Sequence, residues 1–415
     1  MKQSRLFYLD ALRGIAAVIV VLVHYFAAFY PYSVFGSAGG QQHQTWEKLF
    51  FFPPFGLLLN GHLAVCLFFI LSGFLLSYRY IGASGKHTDI LVAMVKRPIR
   101  LAGLALFSIL LSASLWRNGL YFNHTLVGVN ISSDWFNQFW QGEFSLLKLL
   151  HTATISLFRN GYLYNPPLWT IRIELYGSFM SLLFLLFFKN SKYLVALLFT
   201  LVVVFHNSLY QGFWLGMLIA TGLKHGVLDA WPQTQKTWVN HWAMGSLTAL
   251  LVYLSSYPHY AKFGFLSRTI YAYLPDDNGF GGGYPMLTAL LLFLLLCLNR
   301  QVQNLLNQKY LLFIGRISYG VYIIHFLILG SLSSWFFLQL NQYYTHEFSF
   351  LITLILGFSL SILSAYFATT YIDIPCIKLA NYVGQRARLQ IESMCIALPK
   401  VWGRRITEKP IQTDT

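Results

Sequence analysis

The chain consists of long apolar runs separated by short polar segments. A helix needs about 20 apolar residues to cross roughly 30 Å of hydrocarbon, and fewer where neighbouring helices shield it. Ten runs fit this description, although the fifth and sixth are short and closely coupled. The pattern predicts an all-α bundle of ten membrane-spanning helices, over residues 11–30, 61–80, 99–117, 168–188, 193–207, 208–224, 241–257, 285–299, 314–340 and 349–372.

The composition agrees with a membrane protein and excludes several soluble classes. Hydrophobic residues make up 56% of the 415 residues and charged residues 10%, whereas a soluble domain carries about 25% charged residues. There is no HExxH or Walker A motif, and no GxGxxG motif after a predicted strand, so a zinc enzyme or a soluble nucleotide enzyme has no support. The four cysteines lack disulfide or metal-ligand spacing, and we expect no metal.

The net charge of +15 is explained by membrane topology rather than by nucleic-acid binding. If the N-terminus is cytoplasmic, 22 of the 29 Lys and Arg residues fall on the inner side and 7 on the outer side. We therefore predict that both termini are cytoplasmic and that nucleic acid is not a partner. Arg13 and His24 interrupt the first apolar run, which favours an uncleaved first span over a signal peptide.

The spans divide the chain into a membrane domain, residues 1–380, and a basic cytoplasmic tail, residues 381–415, which is predicted to contact membrane lipid at the inner leaflet. Two predicted outer segments, 31–60 and 118–167, are long enough to form a functional lid or an acceptor surface. Plain connecting loops are the alternative. Within the second segment, residues 146–158 are amphipathic and are predicted to lie in the membrane interface.

Ionisable residues inside apolar runs are costly and therefore indicate function. Asp10, Arg13 and His24 share one face of the first span. Eleven residues at 100° each bring His24 back to within about 20° of the direction of Arg13 around the helix axis. At 1.5 Å per residue, His24 lies about 16 Å above Arg13, in the outer half of the membrane. Glu174 in the fourth span reaches a similar depth, which predicts a hydrogen bond with His24. The alternative is that Glu174 pairs with Arg172 or with another helix.

Two further spans carry polar residues at depth. In the second span, the Ser72-Gly73 pair is most often a sign of close helix packing. In the ninth span, Ser318, Tyr322 and His325 share a face at spacings of four and three. A lone buried histidine is usually a core residue. Two deep histidines together with a deep glutamate favour a functional site.

Arg97 and Arg100 lie one helical turn apart before the third span, with Lys96 beside them. The simplest interpretation is charge that sets topology. The more specific interpretation is a cytoplasmic anion site, because two guanidinium groups at this spacing can bind phosphate groups together. Asp373, where the last span reaches the inner surface, is placed to pair with this cluster.

Taken together, these residues resemble the acyltransferase-3 family, the polytopic membrane O-acyltransferases that modify cell-envelope glycans and small molecules. Each motif alone is weak, but their order and spacing are specific, and they extend over nearly the whole chain. The matching motifs are Leu9-Asp10-Ala11-Leu12-Arg13-Gly14 followed by His24, Phe69-Ile70-Leu71-Ser72-Gly73-Phe74, Arg97-Pro98-Ile99-Arg100-Leu101, Pro167-Leu168-Trp169-Thr170-Ile171-Arg172-Ile173-Glu174, and Ile317-Ser318-Tyr319-Gly320-Val321-Tyr322-Ile323-Ile324-His325.

The resemblance implies transfer of an acyl group, most commonly acetyl, from cytoplasmic acyl-CoA to a hydroxyl on the outer side. It implies that His24 is the base with Arg13 as its motif partner, and that Arg97 and Arg100 contact the CoA phosphates. Some relatives carry an additional esterase-like domain, which we expect this chain to lack. We expect the acceptor to be a sugar of a surface polysaccharide or lipopolysaccharide, and the location to be a bacterial inner membrane.

The mechanism expected from these residues is general base catalysis by His24 on the acceptor hydroxyl, with Glu174 orienting the imidazole. Asp10 lies on the donor path, and Ser72, Tyr322 and His325 are expected to polarise the thioester carbonyl. The main alternative is a proton-coupled transporter or flippase, because buried His, Glu and Arg would suit a carrier equally well. No inverted repeat is evident in the sequence. A receptor or scaffold would leave the deep ionisable residues without a purpose.

Overall fold

The computed structural model describes residues 6–40, 42–81, 86–226, 237–259, 269–275, 277 and 281–406. These residues form helices and turns, and no strand occurs among them, so the predicted all-α class is confirmed. The principal helices in this part of the chain are α1 (Tyr8–Phe29), α2 (Gly61–Tyr78), α3 (His87–Arg117), α4 (Trp169–Phe188), α5 (Leu194–Val204), α6 (Gln211–Lys224), α7 (Thr237–Ser255), α8 (Gly283–Leu298), α9 (Lys309–Ile328), α10 (His346–Ala368) and α11 (Ile374–Ile406).

Six helical stretches of the described chain are long and apolar enough to cross a membrane. A seventh results if α8 is counted together with Arg300–Leu306, from which it is bent by 97°. The predicted fifth and sixth spans form α5 and α6, which have only 11 and 14 residues. At 1.5 Å per residue, α5 covers about half of the hydrocarbon thickness. The chain is therefore a multi-pass membrane protein with six or seven clear spans, and the count of ten and the side of the termini stay predictions.

Helices α1 and α9 cross at a pair of glycines. A Cβ on Gly315 would overlap the carbonyl oxygen of Asp10, and a Cβ on Gly14 would lie 2.7 Å from the backbone nitrogen of Gly315. Only glycine allows the two backbones to approach so closely. His24 and His325 each lie ten residues beyond their glycine, about 15 Å along the helix at 1.5 Å per residue. The crossing thereby brings the two histidines to one level.

A second glycine contact joins α2 to α6. A Cβ on Gly73 would overlap the carbonyl oxygen of Phe213, and a Cβ on Gly216 would overlap that of Ile70. The interpretation of Gly73 as a helix-packing residue is therefore confirmed. This contact fixes α2 so that Ser72 points to the other side, toward α4.

Two π-helical turns interrupt the last long helices. Leu329–Ser333 follows α9, and Thr369–Asp373 joins α10 to α11. In the first turn, the carbonyl oxygen of Gly330 accepts a hydrogen bond from the backbone N–H of Phe122 at 2.9 Å. The second turn places Asp373 at a cavity inside the bundle. Such turns are frequent at functional sites, and here one fixes a surface segment while the other directs a carboxylate inward.

The segment 118–167 is fixed to the helix bundle by several hydrogen bonds. The side chain of Asn165 donates to the carbonyl oxygen of Ile323 at 2.8 Å, and the indole N–H of Trp140 donates to the hydroxyl of Ser112 on α3 at 3.2 Å. Together with the bond from Phe122 to the π-helical turn, these contacts hold the segment against α3 and α9. The segment is therefore attached to the bundle, and its role as a lid or an acceptor surface stays a prediction.

The predicted amphipathic stretch and the predicted tail are both helical where they are described. A helix forms over Leu146–Thr154, with Leu149 buried and Leu147 exposed. Helix α11 continues without a break through the predicted domain boundary at residue 380. Residues 407–415 of the predicted tail lie outside the described residues. The positions of both helices relative to the membrane interface stay predictions.

Candidate active site

His24 and His325 form the centre of the candidate site. His24 Nδ1 lies 2.8 Å from His325 Nε2, and His325 Nδ1 lies 2.9 Å from the carbonyl oxygen of Val321. A carbonyl only accepts, so His325 Nδ1 carries a proton and donates it to Val321. In the neutral ring, His325 Nε2 then accepts the N–H of His24 Nδ1. The nitrogen of His24 that remains unprotonated is Nε2, and no described residue bonds to it.

The predicted pairing of His24 with Glu174 is wrong. Glu174 forms an ion pair with Arg97, and its Oε1 accepts the hydroxyl of Ser72 at 2.7 Å. Arg97 Nε also donates to Ser178 Oγ at 2.8 Å. The rise per residue predicts the depth of a side chain, but not the direction in which its helix face points. Glu174 therefore belongs to an ion pair between α3 and α4, as the structural alternative proposed, although its partner is not Arg172.

An arginine cavity lies in the half of the bundle where α1 begins. It has a volume of about 410 Å³ and is lined by polar side chains from α1, α3, α4, α9 and the second π-helical turn. These polar residues are Asp10, Arg13, Arg97, Arg100, Thr170, Glu174, Arg316, Ser318, Tyr319, Tyr322, Thr369 and Asp373. The predicted phosphate contacts Arg97 and Arg100 therefore line the same cavity as Asp10 and Arg13.

Ion pairs do not neutralise all of the arginine side chains that line the arginine cavity. Arg97 is paired with Glu174, but Arg13, Arg100 and Arg316 form no ion pair within the described part of the chain. Arg100 and Arg316 are exposed, whereas Arg13 is partly buried. Guanidinium groups bind phosphates in a planar, bidentate geometry. The cavity is therefore suited to an anionic ligand that carries phosphate groups.

Sequence reasoning missed Arg316 as a site residue and placed too much weight on Lys96. Arg316 on α9 lines the arginine cavity together with Arg100. The signal for it was its spacing of three residues from Tyr319, which lines the same cavity. Lys96 lines neither cavity, and its aliphatic stem packs against Gly384 of α11.

A histidine cavity of about 230 Å³ lies beyond the arginine cavity, on the side where α1 ends. His24, His62 and His259 line it, together with the aromatic walls Trp135 and Trp169. No Lys, Arg, Asp or Glu of the described residues lines it. The cavity is therefore formally neutral when its histidines are neutral, and it suits a ligand with hydroxyl groups and an apolar face.

Tyr322 and Val65 line both cavities and mark their junction. The hydroxyl of Tyr322 lies 2.9 Å from Thr170 Oγ1 and 3.3 Å from the carbonyl oxygen of Pro167. The predicted common face of α9 is confirmed. Ser318 lines the arginine cavity, Tyr322 lies at the junction of the two cavities, and His325 contacts His24. Because Val65 and Tyr322 line both cavities, the two cavities lie next to each other in the bundle.

Two predicted contacts with a thioester carbonyl are not supported by the geometry. Ser72 donates its hydroxyl to Glu174 and lines neither cavity. His325 has both ring nitrogens engaged, one with Val321 and one with His24. Their roles are therefore to hold Glu174 and to orient His24. Tyr322 is the residue of the predicted three that faces both cavities.

A family model for an acyltransferase domain matches residues 6–370. Acyltransferase clz18 of Cochliobolus lunatus is 24% identical over 460 residues, which cover 93% of this chain and 97% of that protein. No solved structure matches the chain.

Proposed function

The chain belongs to the acyltransferase-3 family, and from this premise we propose that it transfers an acyl group, acetyl, from cytoplasmic acyl-CoA to a hydroxyl of an acceptor on the outer side. The acceptor that we propose is a sugar of a surface polysaccharide or lipopolysaccharide, and the location a bacterial inner membrane. The observation that carries the proposal is the junction at Tyr322. Tyr322 lines both a cavity rich in arginine and a neutral cavity that is lined by His24, whose Nε2 is unprotonated.

The donor would enter from the arginine cavity. Its phosphates would contact Arg13, Arg100 and Arg316, which have no ion-pair partner in the described chain. The pantetheine arm would then extend along α1, past Tyr322. Eleven residues separate Arg13 from His24, a rise of about 16 Å, which is comparable with an arm on the order of 15 to 20 Å long. The thioester would therefore reach His24 while the nucleotide stays at the arginines.

His24 would act as the general base through Nε2. This nitrogen accepts the proton of the acceptor hydroxyl while the hydroxyl oxygen forms a bond with the thioester carbonyl carbon. The bond between carbon and sulfur then breaks, and the proton on His24 passes to the CoA sulfur, which leaves as the thiol. The hydroxyl of Tyr322, which bonds to Thr170 and Pro167 in the structure, would redirect its proton to stabilise the negative charge on the carbonyl oxygen.

His325 supports this step by fixing the tautomer of His24. Because its Nδ1 is committed to Val321, its Nε2 accepts from His24 and keeps the basic nitrogen on the side of the cavity. Glu174 would act at a distance from the reacting atoms. It holds Arg97, and through it the shape of the phosphate site.

The neutral lining of the histidine cavity supports a sugar acceptor. Aromatic side chains pack well against the apolar faces of sugar rings, and Trp135 and Trp169 provide two such walls. Ser33, Asn60 and Ser256 add groups that can bond to hydroxyls. An acidic or strongly basic acceptor would find no charged partner among the described lining residues.

The proposal is tested with [14C]acetyl-CoA and membranes that contain the protein. We expect base-labile label in an envelope glycan, lost at least 100-fold in His24→Ala. The matched control is His206→Ala, because His206 is exposed in a turn and lines neither cavity. The second arm removes the protein from its cell and measures ester-linked acetate in each envelope fraction. Normal labelling by a folded His24→Ala variant would overturn the proposal.

A further inference from the structure

His24 takes up a proton in the proposed reaction, but no carboxylate bonds to it in the described chain. Its Nδ1 bonds to His325, and the deep carboxylate Glu174 is committed to Arg97 and Ser72. A buried cation without a compensating partner is costly. The aromatic rings around His24 are therefore the neighbouring groups that can favour its protonated form.

Trp135 has the required geometry. Its ring centroid lies 5.8 Å from that of His24, and the two ring planes are within 21° of parallel. A cation within about 6 Å of the face of an aromatic ring is attracted to it, and tryptophan binds cations best. Phe326 also lies close, at 5.0 Å, but its plane stands at 85° to the imidazole. Of these two rings, Trp135 has its plane nearly parallel to that of the imidazole, and tryptophan is the stronger partner for a cation.

We propose that Trp135 is a positioning residue of the acyl transfer, whose indole face stabilises the imidazolium that forms when His24 Nε2 accepts the acceptor proton. The inference rests on the proposed function of His24 as the base. It goes beyond that function because it assigns the stabilising group, in place of the carboxylate that is found in many histidine-based sites.

The position of Trp135 is fixed by its surroundings. It lies in the short helix Asp134–Asn137, and the side chain of Asn123 donates to the carbonyl oxygens of two residues that follow it, Phe136 at 2.8 Å and Phe139 at 3.2 Å. The same segment is attached to the π-helical turn after α9. A ring that is already in place needs no rearrangement when charge develops, which is the condition for effective electrostatic stabilisation.

The other titratable groups near His24 do not favour the imidazolium. His325 on α9 bonds to it, and His62 on α2 lies within electrostatic range. Either of these, if protonated, would repel a charged His24. No Lys, Arg, Asp or Glu of the described chain lines the cavity. Among the described neighbours of His24, the indole ring of Trp135 is therefore a contact that favours the protonated form of His24.

The test is the pH dependence of acetyl transfer by Trp135→Leu and Trp135→Phe. We expect kcat to fall about tenfold in Trp135→Leu and less in Trp135→Phe, because a smaller ring keeps part of the attraction. The KM for acetyl-CoA should not change. The acidic limb of the profile should move to lower pH, because a His24 without its cation partner releases its proton more readily and becomes the free base sooner.

Trp169→Leu is the control, because Trp169 lines the same cavity but has no ring contact with His24. It should alter the KM for the acceptor and leave the acidic limb in place. An unchanged acidic limb and kcat in Trp135→Leu, or the same shift in Trp169→Leu, would overturn the role of Trp135. If Trp135→Leu does not fold, the test rests on Trp135→Phe. A shift of its acidic limb to lower pH would support the role of Trp135, and an unchanged limb would overturn it. A wild-type protein without any transfer from acetyl-CoA would instead overturn the proposed function.

Discussion

At the residue scale, two hydrogen bonds determine the chemistry available to His24. The carbonyl oxygen of Val321 fixes the proton of His325, and His325 then fixes the proton of His24. The result is a basic Nε2 on a histidine that lines the cavity, obtained with a second neutral imidazole instead of an acid. Sequence spacing predicted that His24 and His325 are deep and functional. It could not predict that they contact each other, because it gives no information on how separate helices are rotated.

The first prediction concerns His325. His325→Ala removes the acceptor for His24 Nδ1–H, so the proton is free to move to Nε2 and the base is lost in much of the population. We expect kcat for acetyl transfer to fall on the order of 100-fold, with little change in the binding of CoA, because an orienting partner of a catalytic histidine has effects of this size or larger.

His325→Gln is the informative companion variant. Its side-chain oxygen can accept the N–H of His24, so it should recover part of the rate lost in His325→Ala. His206→Ala again serves as the exposed control. Equal rates for His325→Ala and the wild type would show that the hydrogen bond to His24 has no catalytic role.

At the element scale, the helix crossing at Gly14 and Gly315 determines whether the two histidines meet. The chain also contains two π-helical turns that no local sequence pattern predicts. The π-helical turn Thr369–Asp373 directs Asp373 into the arginine cavity, and Leu329–Ser333 holds the segment that carries Trp135. A π-helical turn depends on the packing around one extra residue, so apolar periodicity predicted continuous spans in both places.

The second prediction tests the crossing. Gly315→Ala places a Cβ against the backbone of Asp10, which cannot move without shifting α1. Overpacking of this kind costs about 1–3 kcal/mol, and we expect a lower midpoint of thermal unfolding in detergent together with a loss of acetyl transfer. Gly245→Ala in α7 is the matched control, because a Cβ there has no neighbour within 4 Å. Equal effects of the two substitutions would contradict the account.

The segment 31–60 contains a buried carboxylate that should make stability depend on pH. Glu47 Oε1 accepts the backbone N–H groups of His43 at 2.7 Å and Gln44 at 2.6 Å, while Oε2 has no hydrogen-bond partner in the described chain. Burial raises the pKa of Glu47 above its usual value, although these hydrogen bonds oppose the shift. The folded protein thus binds this proton more tightly than the unfolded chain does.

The third prediction follows from the sign of this shift. A raised pKa contributes stability at low pH, and that contribution is lost as the pH rises through the folded-state pKa. Glu47→Gln keeps an oxygen for the two N–H groups and carries no charge. We expect it to unfold at a higher temperature than the wild type at pH 8, with a difference that shrinks toward acidic pH. A less stable Glu47→Gln protein at pH 8 would contradict this.

At the scale of the whole molecule, charged side chains are concentrated in one of two adjacent cavities. Four arginines and three acids line one of them, and the described lining of the other carries none. The sequence predicted the fold class, the stripe on α1 and the arginine pair, because these depend on composition and on spacing within one helix. It did not predict Arg316, the neutral histidine cavity or the true partner of Glu174, because these depend on how distant helices pack.

The fourth prediction concerns the ligand of the arginine cavity. If Arg13, Arg100 and Arg316 bind phosphate groups, the affinity of the purified protein for CoA should fall steeply as salt is raised, because screening weakens contacts between exposed charges. Arg316→Ala should weaken CoA binding, whereas Arg117→Ala should not, because Arg117 lines neither cavity. Calorimetric titration with CoA measures both. Binding that is indifferent to salt and to Arg316 would contradict a phosphate site.

The central claim is that an acyl group passes from the arginine cavity to His24 and on to an acceptor on the opposite side. The most direct measurement uses sealed membrane vesicles in which [14C]acetyl-CoA is supplied only on the side of the arginine cavity and the acceptor glycan only on the other. We predict ester-linked label on the enclosed glycan with the wild-type protein, and none with His24→Ala. Label that appears equally with His24→Ala, or only when donor and acceptor share one side, would contradict the account.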